Sequence, residues 1–283
     1  MTETGTMTAT EWATSSDGTR IAFERSGTGP VLVLVDGAFC SREFGPARDV
    51  TTALAEDFTV VIYDRRGRGE SGNTLPYAPE REFEDLRAVI EATGGASGQP
   101  RAFVMGQSSG AGLAYRAAAA GVPMRKLIGY EAPWVGLRTN KDGSPKDYHG
   151  DLDRLIDRGE NAKAISYFMV DMIGAPRFVP LMMRVMAAKE WTKLLRVAPT
   201  LRYDAAVMGH FTVPATELAG IAAPTLALCG GKAASEMLAA QQAVAAAIPG
   251  AEHAVLAGQT HQVSPAALKP QFLRFLLGTD AVT

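Results

Sequence analysis

A serine stands between glycines in Gly106-Gln107-Ser108-Ser109-Gly110, a G-x-S-x-G pattern. It follows the apolar run RAFVM and leads straight into GAGLAYRAAAA. A serine hydroxyl is a weak nucleophile until a positioned base takes its proton. The strand–turn–helix context is what a nucleophile elbow needs: a tight turn that aims the Ser108 hydroxyl outward above a helix N-terminus, with small residues on either side. The N–H of Ser109 would then face an oxyanion forming at a carbonyl substrate. A helix N-capping serine in a Gly-rich turn is the structural alternative, and the flanking strand and helix favour the nucleophile.

The base must come from four histidines, His149, His210, His253 and His261. Two cysteines, Cys40 and Cys229, are too few for a disulfide framework or a four-ligand zinc site. Nothing near Cys40 would activate its thiol, so a structural role is expected. Gly67-x-Gly69-x-x-Gly72 has the form of a dinucleotide fingerprint, but Asn73, Pro76 and Pro79 delay the helix that would have to follow at once. No cofactor and no metal are therefore expected. With 28 Lys+Arg against 30 Asp+Glu there is no excess of positive charge for nucleic acid. No apolar run reaches the ~18 residues of a spanning helix, so no membrane partner is expected. The opening MTETGTMTAT has neither a basic nor an apolar stretch of a signal peptide. The expectation is a cytoplasmic protein, monomer or homodimer, with a frayed N-terminal tail.

The chemistry needs elements to position it. The chain is 283 residues long, 47% hydrophobic and 20% charged, the balance of a globular protein with a full core. Glu11–Thr14 and Thr19–Arg25 flank Asp17-Gly18 and read as a hairpin. VLVLV at Val31–Val35 reads as a strand buried on both faces. Strand-like runs recur at Val60–Tyr63, Ala102–Met105, Leu127–Tyr130, Thr225–Cys229 and Ala254–Leu256. Helical patterns lie between them, at Glu43–Ala55, Pro79–Ala92, Gly110–Ala120, Ser235–Ala247 and Ala266–Leu277. This alternation predicts an α/β architecture with a doubly wound, mostly parallel sheet. Residues 134–215 break it, with helical segments and no strand. That stretch holds six of the eleven methionines and carries 12 Lys+Arg against 9 Asp+Glu, so a mildly basic helical insertion divides a more acidic core.

At this point the chain resembles the α/β-hydrolase fold family over nearly its whole length. The elbow carries the likeness, together with Asp64-Arg-Arg-Gly-Arg-Gly-Glu-Ser71 after the fourth strand and Asp36-Gly37-Ala38-Phe39 after the third. The resemblance implies an eight-stranded, mostly parallel sheet flanked by helices. It implies a core of 1–133 and 216–283, with a helical cap at 134–215 after strand six. It also implies an oxyanion hole built from the N–H of Ser109 and of Gly37 or Ala38. Family members usually have His-Gly where this chain has Asp36-Gly37; a backbone donor survives that change, and Asp36 becomes a candidate substrate contact. The base implied is His261, in the loop after the last strand and before Ser264-Pro265, with His253 the competitor inside the strand pattern.

The acid that would orient His261 usually follows strand seven in this family, but Ala233 and Ala234 stand there. Glu131, at the end of strand six, is favoured, because strands six and seven are neighbours and a Glu can span the extra reach; Glu236 and Asp204 remain alternatives. Short local motifs are also similar to zearalenone-type lactonases: a Val-x-Asp-Gly-like loop, the Gly-x-Ser-Ser-Gly-Ala elbow and the Glu-x-Pro-like end of strand six. The expected function is a cofactor-free serine hydrolase of a small, largely apolar ester or lactone. Phe39, Trp134, Met183, Trp191, Tyr203 and Met208 are pocket candidates. Other chemistry on the same residues (C–C bond hydrolysis or perhydrolysis) and a non-catalytic ligand-binding role remain alternatives.

Overall fold

The computed structural model describes residues 7–94 and 102–278. Residues 1–6, where a frayed N-terminal tail is expected to begin, lie outside them. Among the described residues eight strands form one sheet: β1 (Glu11–Thr14), β2 (Arg20–Ser26), β3 (Val31–Val35), β4 (Thr59–Tyr63), β5 (Phe103–Gln107), β6 (Lys126–Tyr130), β7 (Thr225–Gly230) and β8 (Glu252–Leu256). Their order is β1-β2-β4-β3-β5-β6-β7-β8. Only the β1–β2 and β2–β4 pairs are antiparallel. The predicted mostly parallel sheet is observed.

The strands need no polar face, because helices cover both sides. Side chains alternate across a strand with period two. In β3, Val33 and Val35 therefore enter one apolar cluster and Leu32 and Leu34 the other. The first cluster lies under α2 (Pro79–Gly94), α3 (Ser109–Ala119) and α10 (Ser235–Ala247); the second lies under α1 (Ala47–Leu54) and α11 (Pro265–Phe272). Each such buried Val or Leu contributes about 1.5–3 kcal/mol, so Val33→Asp, which puts an unpaired charge into this core, would break it.

Two predicted helix bounds shift for identifiable reasons. The expected helix from Glu43 begins only at Ala47. The buried Arg42 is tied down first, with its N–H 2.7 Å from Asp64 Oδ1 and its Nε 3.0 Å from Asp64 Oδ2. The expected helix to Leu277 is α-helical only to Phe272 and closes with a π-turn at Leu273–Leu277, downstream of Pro270 inside the helix, where a proline removes a donor.

Between β6 and β7 the chain forms α4 (Tyr148–Asp157), α5 (Asn161–Tyr167), α6 (Val179–Met186), α7 (Ala188–Val197), α8 (Leu201–Met208) and α9 (Ala215–Leu218). Helices α8 and α9 rest on α3. Helix α6 leaves Leu181, Val185 and Met186 exposed.

Register fixes where the loops emerge. Val35 pairs with Gly106, Gln107 with Tyr130, Tyr130 with Leu228, and Gly230 with Leu256. The carboxyl ends of β3, β5, β6, β7 and β8 therefore lie side by side. In open α/β sheets that edge is where ligands bind.

Candidate active site

Ser108 joins β5 to α3 with φ 57° and ψ −131°. A non-glycine residue in this region carries strain of about 1–3 kcal/mol, held by its surroundings. The Ser108 N–H donates to Tyr130 O at 2.9 Å, which ties the turn to β6. The flanking glycines are required by close approach: a Cβ on Gly106 would lie 2.6 Å from Ala111 Cα, and one on Gly110 2.6 Å from Asp36 O. Both neighbours are backbone and cannot swing away. Ser109 opens α3, and the first N–H groups of a helix have no intrahelical acceptor.

The loop after β3 lies against this turn. A Cβ on Gly37 would stand 2.8 Å from Ser108 Cβ and 3.3 Å from Ser108 Oγ. The N–H groups of Gly37, Ala38 and Ser109 have no acceptor among the described residues. Three N–H groups of this loop and turn are thus left without a described protein acceptor, the type of donor an oxyanion site requires. Phe39, also at positive φ (65°), sets its ring edge-on to Phe168 at 5.0 Å. The Asp36 carboxylate takes no hydrogen bond from the described residues, and its Oδ2 faces the position a Gly45 side chain would occupy. Burial pushes its pKa up to about 7, against the pull of Arg68 and Arg65.

Glu131 follows β6 with φ 50° and is 1% exposed. Its Oε2 lies 2.6 Å from Nδ1 of His261. Its Oε1 accepts the Gly230 N–H at 2.8 Å and the Cys229 thiol at 3.6 Å. Burial alone would raise the carboxyl's pKa; the His261 hydrogen bond and the Gly230 N–H outweigh it and hold it below the usual carboxylate range. Burial, reinforced by the Glu131 charge, pushes the Cys229 thiol up to about 12, so it stays a donor.

The His261 ring is half exposed, but its backbone is anchored. Gln107 Nε2 donates to His261 O at 3.0 Å, and the Tyr130 hydroxyl donates to Thr260 O at 2.5 Å. Gln107, Tyr130 and Cys229 support these groups; the sequence raises Cys229 only as a disulfide or zinc ligand and gives Gln107 and Tyr130 no role. Their position at strand ends beside Ser108, Glu131 and Gly230 is the signal that could have found them.

The competing acids and bases lie elsewhere. Glu236 sits exposed in the first turn of α10, where its carboxylate accepts from Ser235. Asp204 is fully buried and meets Arg65, Arg68 and Ser109 rather than His261. His253 lies in β8 with its Nε2 buried and unpartnered among the described residues. His149 faces Asp153 at 3.2 Å, and His210 is exposed after α8.

The pocket candidates separate. Met208 and Trp134 close over Gly112 in the first turns of α3, beside the elbow. Tyr203 stacks on Tyr77 at 3.7 Å, with its hydroxyl on Asn73, so its ring is used in packing. Trp191 lines a groove of about 240 Å³ with Pro180, Leu181 and Ser166, and Met183 packs part-buried on α6. Among the described residues no cluster of His, Cys, Asp or Glu is arranged to hold a metal ion.

The fold and sequence have counterparts in known proteins. The profile described as "Alpha/beta hydrolase family" matches residues 31–270. An alpha/beta hydrolase from Sphaerobacter thermophilus is 44% identical, with a TM-score of 0.82 over 94% of this chain and 100% of that one. An enol-lactonase from Burkholderia xenovorans is 19% identical, with a TM-score of 0.67 over 94% and 100% of the two chains. An esterase from a Rhodococcus species is 20% identical, with a TM-score of 0.66 over 95% and 99%. These last two likenesses speak for the fold. No curated protein sequence matches. No helix among the described residues is long and apolar enough to cross a membrane. On the extent of the profile match and the 44% identical structure, the chain belongs to the alpha/beta hydrolase family.

Proposed function

We propose that the protein hydrolyses a carboxylic ester or lactone of a small, largely apolar molecule through an acyl-enzyme on Ser108. His261 takes the Ser108 proton as the hydroxyl attacks the substrate carbonyl, then gives it to the leaving alcohol or alkoxide. The Ser109 N–H and that of Gly37 or Ala38 stabilise the tetrahedral oxyanion, by about 3–4 kcal/mol per donor. Glu131 holds His261 with its proton on Nδ1 and stabilises the imidazolium. Water, deprotonated by His261, then cleaves the acyl-enzyme. The helices between β6 and β7 are read as a cap, in which Phe168 against Phe39 and Met208 against α3 place apolar surface near the nucleophile.

The observation that carries this reading is the 2.6 Å contact of a buried Glu131 with His261, at the same sheet edge as the strained Ser108. The enol-lactonase and the esterase lend the fold, and the case for ester chemistry rests on the site itself. The test is turnover of short-chain p-nitrophenyl esters and simple lactones by wild type and Ser108→Ala. Loss in the variant supports the reading; equal turnover sinks it. Perhydrolysis would show as peracid formation from a carboxylic acid and hydrogen peroxide that exceeds ester hydrolysis.

A further inference from the structure

The two sides of the oxyanion site come from different strands: Gly37 and Ala38 follow β3, and Ser109 follows β5. Both are attached to one carboxylate from far along the chain. Asp204 Oδ1 accepts from the Ser109 hydroxyl at 2.8 Å and from Arg65 at 2.7 Å. Its Oδ2 accepts from Arg68 at 2.7 Å. The other terminal nitrogen of Arg68 donates to Gly37 O at 2.6 Å, and Arg65 donates to Asp36 O at 3.3 Å. Asp204 sits on α8, which packs on α3.

The network is closed. Arg65 also forms a fork with Glu82 at 2.7 and 2.8 Å, so two guanidinium groups face two carboxylates, all nearly excluded from solvent. A buried ion pair by itself is weak evidence for stability, and an apolar replacement often does as well. The Ser109 bond is the informative one. Charge balance does not need it, and it grips the residue whose N–H the proposed mechanism uses.

We propose that Asp204 is a positioning residue that locks both sides of the oxyanion hole to helix α8, so that the cap and the hole move as one body. This rests on the reading of Ser108 as the nucleophile. Asp204 touches no reacting atom. It acts by fixing two backbone donors, and a displacement of 1 Å at such a group costs on the order of a hundredfold in rate.

The test is kcat and KM on a p-nitrophenyl ester for Ser109→Ala, Asp204→Asn and the double variant, with thermal unfolding of each. Ser109→Ala keeps the backbone N–H and the ion pairs and removes only the link. Each single variant is expected to lose at least about tenfold in kcat with KM within about twofold, since transition-state interactions alone are lost. The double variant is expected to be no worse than the poorer single one, because both cut one chain of contacts. Ser109→Ala with unchanged kcat, or losses that multiply, would overturn the proposal. If Asp204→Asn does not fold, Ser109→Ala decides alone. A wild type that neither turns over ester nor takes a fluorophosphonate on Ser108 means that the functional reading has failed, and the proposal falls with it. An active wild type with unaffected variants removes the positioning role only.

Discussion

Oε2 of Glu131 and Nδ1 of His261 are 2.6 Å apart, although 130 positions separate them in sequence. The contact depends on the neighbouring ends of β6 and β7 and on a Glu whose other oxygen is held by Gly230. In the proposed mechanism Glu131 takes the role that an acid after strand seven would otherwise fill.

Glu131→Gln keeps the shape and reverses the hydrogen-bonding sense at one side-chain atom. The expected cost is about ten-thousand-fold in kcat, the scale of placing an imidazole in the wrong tautomer. Glu236→Ala is expected to leave turnover unchanged. Steady-state kinetics on one ester checks both, and a damaging Glu236→Ala beside a mild Glu131→Gln would reassign the acid.

Tyr130→Phe should loosen the loop that carries His261. It removes the hydroxyl that donates to Thr260 O, while the ring stays buried in the core. A lost hydrogen bond of this kind costs about 0.5–1.5 kcal/mol of stability, and kcat is expected to fall several-fold. Thermal unfolding and kinetics measured on the same preparation check the pair of effects.

Asp36 predicts a pH dependence of stability. Its folded pKa is raised to about 7 by burial, above the ordinary carboxylate value. Between that ordinary value and about 7 the unfolded chain has released this proton and the folded chain keeps it. The contribution to stability therefore falls as pH rises through that window and levels off above it, by up to a few kcal/mol. Asp36→Asn cannot ionise, so its melting temperature should gain on the wild type over the same window. Unfolding curves at several values between about pH 4 and pH 8 would show this. A constant difference would remove the assignment.

Much of this was legible in the sequence, and what was not has a physical cause. The run Val31–Val35 announced a strand buried on both faces, and the small residues around Ser108 announced the elbow, because both patterns are local. Glu131 emerged only when strand ends were set beside one another. Composition offers Asp204 as an acid for His261, but its partners Arg65, Arg68 and Ser109 come from a loop and a helix far back in the chain, and no spacing reveals them. Apolar composition offers Trp191 and Tyr203 both as core of the inserted helices and as pocket wall, and it does not separate a side chain that lines a groove, as Trp191 does, from one stacked in packing, as Tyr203 is. The late start of α1 follows from Arg42 being claimed by Asp64, a contact between two loops.

The central claim is that Ser108 becomes covalently acylated. Its most direct test is intact-mass and peptide analysis after treatment with a fluorophosphonate, with wild type, Ser108→Ala and Glu131→Gln compared. The account predicts one adduct on the wild type, located on Ser108, none on Ser108→Ala, and slow labelling of Glu131→Gln. A wild type that stays unmodified, or a Ser108→Ala variant that labels equally well, would contradict it.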